Sequence, residues 1–148
     1  MSFRVNFNLS PDLTLQYWGQ PFVASGRYYN FKYITDPMAS DYHNRFALYS
    51  TEQISLNGDD YYEIDENTDG YYDYGFDKPD FSVQEFLSNL VVRWEYNPGS
   101  SLYLVWSQTR SNYNNSGTMD YSNDMEALFS EKPYNVFLIK FSYRFGLR

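Results

Sequence analysis

Five stretches of this chain alternate apolar and polar residues at every second position. That is the period of a β-strand with one wet face and one dry face. The clearest stretch is the last, Val136 to Phe145. Phe137, Ile139, Phe141, Tyr143 and Phe145 fall on one face; Leu138, Lys140, Ser142 and Arg144 fall on the other. A first strand is predicted from about Phe3 to Leu9, with Phe3, Val5, Phe7 and Leu9 opposite Arg4, Asn6 and Asn8. A second starts at Leu13 and runs to about Arg27, with Leu13, Leu15 and Tyr17 opposite Thr14, Gln16 and Trp18. Pro21 is awkward inside a paired strand and predicts a bulge or a membrane boundary. The third, Val83 to Tyr96, groups Phe86, Leu90, Val92, Trp94 and Tyr96 against Asn89, Arg93 and Glu95. The fourth, Leu102 to Arg110, turns Leu102, Leu104 and Trp106 outward and Tyr103, Val105 and Ser107 inward.

The connections between these strands are sorted by length. Ser10-Pro11-Asp12 and Asn97-Pro98-Gly99-Ser100 are tight turns. Residues 28–82 and 111–134 are long polar loops. A hairpin over Ala47–Ile54 and Tyr61–Ile64 is expected in the first loop, and a helical turn at Met125–Phe129 in the second. Outer-membrane barrels place short turns on the periplasmic side and long loops outside. The last strand, aromatic and ending at Phe145-Gly146-Leu147-Arg148, resembles the C-terminal targeting strand of such barrels and implies the barrel-assembly machinery as a partner.

The expected fold is therefore all-β: an antiparallel up-and-down meander of about five long strands, the C-terminal part of an outer-membrane β-barrel. Phe137, Ile139, Phe141, Tyr143, Phe145, Leu90, Val92, Trp94, Leu102, Leu104 and Trp106 are expected to face the membrane. Five strands leave two open edges, which lipid does not tolerate, so residues 1–148 read as one segment of a larger barrel. Met1 leads directly into an alternating stretch, with no basic segment before an apolar one and hence no secretory signal. A cytosolic protein begins this way, and so does a piece cut from a longer secreted chain. The alternative is a soluble or secreted calcium-dependent β-sandwich that binds carbohydrate through loop tyrosines, its charged strand positions facing solvent.

Composition narrows the function. A net charge of -8 argues against nucleic acid. The absence of Cys excludes disulfides and thiolate chemistry. One histidine, His43, leaves little material for a His-rich metal site or a His-based triad. The 17 Tyr and 12 Phe suit a membrane–water boundary, a sugar-stacking surface or a β-sheet. Trp18, Trp94 and Trp106 each fall on a strand and read as interface anchors. Mean hydropathy is -0.63, yet barrel strands are only half apolar and their loops are polar.

One motif carries metal chemistry. Asp65-Glu66-Asn67-Thr68-Asp69-Gly70 matches the first half of a calcium loop, with oxygen ligands at alternate positions and a glycine for the sharp turn. Tyr71 would add its backbone carbonyl, and Asp73 a direct or water-mediated contact. The twelfth position is Phe76 instead of Glu, so Asp77 is the substitute candidate. The expected cofactor is Ca2+. The pairs Tyr28-Tyr29, Tyr61-Tyr62 and Tyr71-Tyr72 read either as a glycan-stacking surface or as loop packing. Asp59, Asp60, Glu63, Asp65 and Glu66 are close in sequence, but nothing places an acid and a base around a bond, and no nucleophile-elbow sequence accompanies His43. A non-catalytic protein is expected.

Two blocks carry a family resemblance. The first runs from Pro79-Asp80-Phe81-Ser82-Val83 through Arg93-Trp94-Glu95-Tyr96-Asn97-Pro98-Gly99-Ser100 to Leu104-Val105-Trp106-Ser107-Gln108. The second is Asn135 to Phe145. With Pro11-Asp12-Leu13 and Gln20-Pro21-Phe22, they resemble the C-terminal end of a Gram-negative outer-membrane family, domain of unknown function 5916. The resemblance implies an outer-membrane barrel preceded by a carbohydrate-binding domain similar to family 9 modules, and hence a parent protein that binds or takes up glycans. It implies no catalytic residues.

Overall fold

The computed structural model describes residues 1–146; Leu147 and Arg148 of the expected closing sequence lie outside the described residues. In chain order the elements are β1 (Phe3–Ser10), β2 (Leu13–Gly26), β3 (Lys32–Ile34), a 3-10 turn (Tyr42–Arg45), β4 (Phe46–Leu48), β5 (Ile54–Leu56), β6 (Tyr61–Ile64), β7 (Tyr74–Asp77), β8 (Phe81–Asn97), β9 (Ser100–Asn114), α1 (Tyr121–Ser130) and β10 (Tyr134–Ser142). The chain is all-β apart from one helix and a short 3-10 turn, with β1–β2, β3–β4, β5–β6, β6–β7, β8–β9 and β9–β10 paired antiparallel. No described helix is long and apolar enough to cross a membrane, which says nothing of strands. The residues divide into two compact units.

The first unit comprises residues 1–24, 82–114 and 119 onward. Its sheet has the order β1-β2-β8-β9-β10, so the five long strands form a meander, and among the described residues the sheet is open, with β1 and β10 as edges. Register sorts the side chains into rows. Trp94, Leu102 and Phe141 form one row; Val92, Leu104 and Ile139 the next; Leu90, Trp106 and Phe137 the third. The aliphatic row is thus flanked on both sides by rows that contain aromatics. Tyr96 stacks on Phe141 at 5.5 Å and Trp106 on Phe137 at 6.2 Å. Above the third row the face turns polar at Ser88, Gln108 and Asn135, where Asn135 Oδ1 accepts from Trp106 Nε1 at 2.9 Å.

This apolar face is uncovered. Phe137 is 75%, Ile139 72% and Phe141 64% exposed, and among the described residues the buried hydrophobic side chains of the unit are only Phe86 and Leu128. The opposite face carries Arg4, Gln16 and Trp18, which line one shallow depression with Asn89 and Val91. Trp18 therefore points away from Trp94 and Trp106, and is no anchor on their face. Pro21 sits inside β2 without a bulge being needed on the β1 side, because β1 ends where Phe3 pairs with Gly19; the missing N–H costs no bond there.

The last strand is shorter than its alternation suggests. β9 begins at Ser100, so past the Ser142–Ser101 pair only one residue of β9 remains to β10. Arg144 N instead donates to Ser100 Oγ at 3.0 Å, and Tyr143 packs edge-on against Phe145. Tyr143 and Phe145, expected on the membrane-facing strand, lie beyond its end.

The helix is longer than the expected turn at Met125–Phe129. Asp120 caps it by accepting from Asn123 N, and Arg110 Nη1 closes its far end by donating to the carbonyls of Phe129 and Glu131 at 2.6 and 2.8 Å. The helix covers the upper end of the apolar face: Phe86 meets Phe129, and the buried Gln84 donates to Ser82 Oγ and to Asp124 Oδ1 at 3.0 Å. Capping and burial together explain why a short segment stays helical.

The second unit comprises residues 25–81 and 115–118. The long polar stretch is structured: β3 pairs with β4, and β5, β6 and β7 form a three-stranded meander. The expected hairpin is split. Ala47 belongs to β4 and pairs with Tyr33, whereas Ile54 opens β5 and pairs with Ile64. A turn intervenes, in which Gln53 N and Ile54 N both donate to Ser50 O. Ile64 is fully buried, and Phe31, Tyr62 and Phe76 pack ring against ring at 4.7–5.3 Å.

Leu128 is the fully buried contact of α1. Leu128→Ala is expected to destabilise the docked helix by about 2–5 kcal/mol. Limited proteolysis should then cut residues 119–133 faster than in wild type, whereas Glu126→Ala should leave the cleavage rate unchanged.

Candidate functional site

Charge is not spread evenly. Residues 25–81 hold twelve Asp and Glu against four Lys and Arg, so the whole net charge of -8 resides in the second unit. The first unit balances seven acids with seven bases.

The acidic loop between β6 and β7 is closed by its own carboxylates. Asp65, 7% exposed, accepts from Asp69 N at 3.1 Å and from Gly70 N at 2.8 Å. Asn67 Oδ1 accepts from Asp69 N at 3.0 Å, and Asp69 Oδ1 from Tyr71 N at 2.9 Å. Asp73 Oδ2 accepts from Glu66 N at 2.8 Å, while Asp73 N donates to Ile64 O. Thr68 adopts φ 58° and Gly70 φ 90°. A β-branched residue in that region stores roughly 1–3 kcal/mol of strain, held here by the bonds around it. The geometry brings Asp65, Asn67, Asp69, Tyr71 and Asp73 into one turn. Asp77 is elsewhere: it pairs with Tyr61, three residues along β7 from the Tyr74–Ile64 pair, or about 10 Å away. Among the described residues, no three His, Cys, Asp or Glu side chains converge as a metal-binding group. The donor atoms are all oxygen, as a hard cation requires, and side-chain oxygens of Asp65, Asn67, Asp69 and Asp73 are engaged with backbone amides.

The tyrosine pairs do not form one surface. Tyr71 and Tyr72 project from the acidic loop, well exposed. Tyr74, on β7, holds its hydroxyl 2.8 Å from that of Tyr49. That hydrogen bond, with smaller contributions from burial and Glu66, pushes the Tyr74 phenol above its ordinary range. Tyr28, Tyr29 and Tyr62 instead border a cavity of about 650 Å³ within the second unit. Arg27, Lys78 and Asp80 complete its polar lining. Asp80 is 4% exposed; its Oδ1 accepts from Tyr28 N at 2.8 Å and its Oδ2 lies 3.9 Å from Lys78 Nζ. The sequence reading found the tyrosines of this cavity but not its charged residues. The available signal was Lys78-Pro79-Asp80, where an acid directly precedes a long strand.

On the polar face of the first unit, Arg93 donates to Tyr103 Oη at 3.2 Å and to Glu95 Oε2 at 2.8 Å, and Glu95 Oε1 accepts from Gly99 N at 3.0 Å. Arg93 and Glu95 are thus paired on the face opposite the apolar rows, whereas Arg110 lies on the apolar-row face and is held by the helix-end carbonyls. His43 lies in the 3-10 turn beside Asp41, largely exposed.

Asp65→Ala removes two amide partners and is expected to cost about 1–3 kcal/mol locally. Hydrogen exchange should then accelerate at the Asp69 and Gly70 amides, whereas Asp77→Ala should leave both protected.

No curated protein and no solved structure matches the chain. The family model described as Domain of unknown function (DUF5916) matches residues 39–146. That match spans well over half of the 148 residues, and the chain belongs to the DUF5916 family.

Proposed function

We propose that this chain is a non-catalytic segment of an outer-membrane β-barrel, in a protein that binds or takes up glycans. The observation that carries the reading is the uncovered face of the first unit: an aliphatic row between two rows bearing aromatics, on strands whose other face is polar. Lipid-facing barrel surfaces have this order, apolar in the middle with aromatic girdles at both interfaces. The stretch from Ser88 to Tyr96 is nine residues long, and a tilted spanning strand needs about 9–11. In this reading the rows around Val92, Leu104 and Ile139 meet lipid. The Arg93–Glu95 side faces the lumen, and the acidic second unit lies outside. The edges β1 and β10 are closed by further strands, and the barrel-assembly machinery inserts the whole. The family-9-like domain implied by the resemblance would precede the barrel and present glycans to it. A soluble calcium-dependent sandwich needs a second sheet over Phe137, Ile139 and Phe141, and their exposure disfavours it.

Outer-membrane fractionation tests this. Unheated and boiled membranes, probed with an antibody to residues 111–132, are expected to give a heat-shifted band in the outer-membrane fraction. A soluble band with no shift would overturn the barrel.

The same reading gives the acidic loop a calcium ion. Asp65, Asn67 and Asp69 would exchange their amide bonds for the cation, joined by the Tyr71 carbonyl and Asp73; Asp77 would not reach. Calorimetric titration with calcium should yield binding heat that Asp65→Ala and Asp69→Ala abolish. Equal heats in wild type and both variants would remove the loop as the site.

A further inference from the structure

We propose that the cavity of the second unit is a binding site for a neutral pyranose sugar, held between Tyr28, Phe31 and Tyr62 on its apolar side and Arg27, Lys78 and Asp80 on its polar side. The proposal rests on the glycan reading above and adds its location and its ligand class. The volume of about 650 Å³ lies within the range of small-molecule sites. The mixture of linings is what a sugar demands. A pyranose presents C–H faces, which pack on aromatic rings, and hydroxyls, which need donors and acceptors together.

The lining is also prearranged. Phe31 and Tyr62 are locked against each other at 4.7 Å and against Phe76 at 5.1 and 5.3 Å, which fixes the apolar wall. Asp80 ties the polar wall together by holding Tyr28 N and lying close to Lys78 Nζ, which also reaches Asp60 Oδ1 at 3.4 Å. Asn30, in the same segment, holds φ 57° and turns the chain between Tyr28 and Phe31. Among the described residues Arg27 forms no ion pair, and it is exposed.

Charge selects the class. The lining holds Arg27 and Lys78 against Asp80, and Asp60, which Lys78 Nζ reaches outside the lining, offsets the remaining positive charge. A polyanionic glycan would have to approach a unit with twelve acids and four bases, against its field. A cationic ligand would need a free carboxylate, and that of Asp80 is buried and already engaged. An uncharged sugar meets neither obstacle.

The test is equilibrium dialysis of labelled maltotriose, cellotriose and xylotriose, with trigalacturonate as the charged control. Outer-membrane vesicles carrying the whole protein are compared with vesicles lacking it. At least one neutral trisaccharide should be retained and trigalacturonate should stay at background. Arg27→Ala and Tyr28→Ala, both at exposed side chains, should each weaken retention about fivefold or more. Tyr134→Ala, at an exposed tyrosine of the first unit, should leave it unchanged. Retention of a neutral sugar that neither cavity variant alters would overturn this site and leave the glycan reading standing. Retention of trigalacturonate alone would overturn the neutral class. No retention of any sugar by correctly inserted protein would remove the glycan reading and the site together.

Discussion

The first unit depends on a mismatch between its backbone and its side chains. Its main chain pairs in ladders along β8, β9 and β10, with only the outer sides of β1 and β10 open, yet the side chains of one face below the helix are uncovered. Leaving a large apolar side chain exposed forgoes roughly 1.5–3 kcal/mol of burial. Phe137, Ile139 and Phe141 alone therefore represent several kcal/mol, a large share of the ordinary margin of a folded domain. A sheet can carry such a face where another sheet covers it or where the surrounding medium is itself apolar. The proposed membrane setting supplies the second, and it explains why the unit has almost no interior.

The helix α1 follows from the same constraint. It covers the apolar side of β8 only above the Ser88–Gln108–Asn135 row, where Phe86 would otherwise be left bare. Arg110 holds the end of the helix, and Gln84 Nε2 donates to Asp124 Oδ1 beneath it. The face is thus buried by protein above the polar row and open below it. Trp106, whose indole N–H reaches Asn135 at that level, has one end apolar and one end polar, as interface aromatics do.

Period-two alternation made the five long strands, their faces and the tight turns readable, because it depends only on residues two apart. It overran at the C-terminus, since the pattern continues through Tyr143 and Phe145 whereas the ladder stops when β9 runs out at Ser100. Trp18 shows a different limit. Its placement opposite Tyr17 was legible, but the polar character of its face emerges only when Arg4 and Asn89 are brought beside it by pairing. The calcium motif fixed the positions of Asp65, Asn67 and Asp69 on one turn, because that geometry is local. Asp77 was assigned by counting along the chain, and the β6–β7 register carries it to the other end of the hairpin. The cavity was least readable: Arg27 and Asp80 are more than fifty residues apart, and only the fold of the intervening strands sets them together.

The distribution of charge ties these parts into one argument. An ionised side chain within hydrocarbon is costly, so strands that meet lipid must turn their charges to the other face and pair them there. In the proposed membrane setting Arg93 and Glu95 do so, with Tyr103 accepting from Arg93, and the acids and bases of the first unit cancel. The second unit has no such restriction and carries the entire excess of negative charge. Its acidic loop spends that charge on its own amides, with both Asp65 oxygens facing backbone N–H groups and Thr68 strained to allow it. Asp80 is treated in the same way at the cavity wall. These carboxylates keep their charge but are fixed as acceptors, and at the cavity wall Asp80 is offset by Lys78 and Arg27, so the local net charge stays small inside a strongly acidic unit. A surface of that kind rejects anions at a distance yet offers little net charge at contact, and selection among uncharged ligands then falls to ring packing and hydrogen-bond geometry.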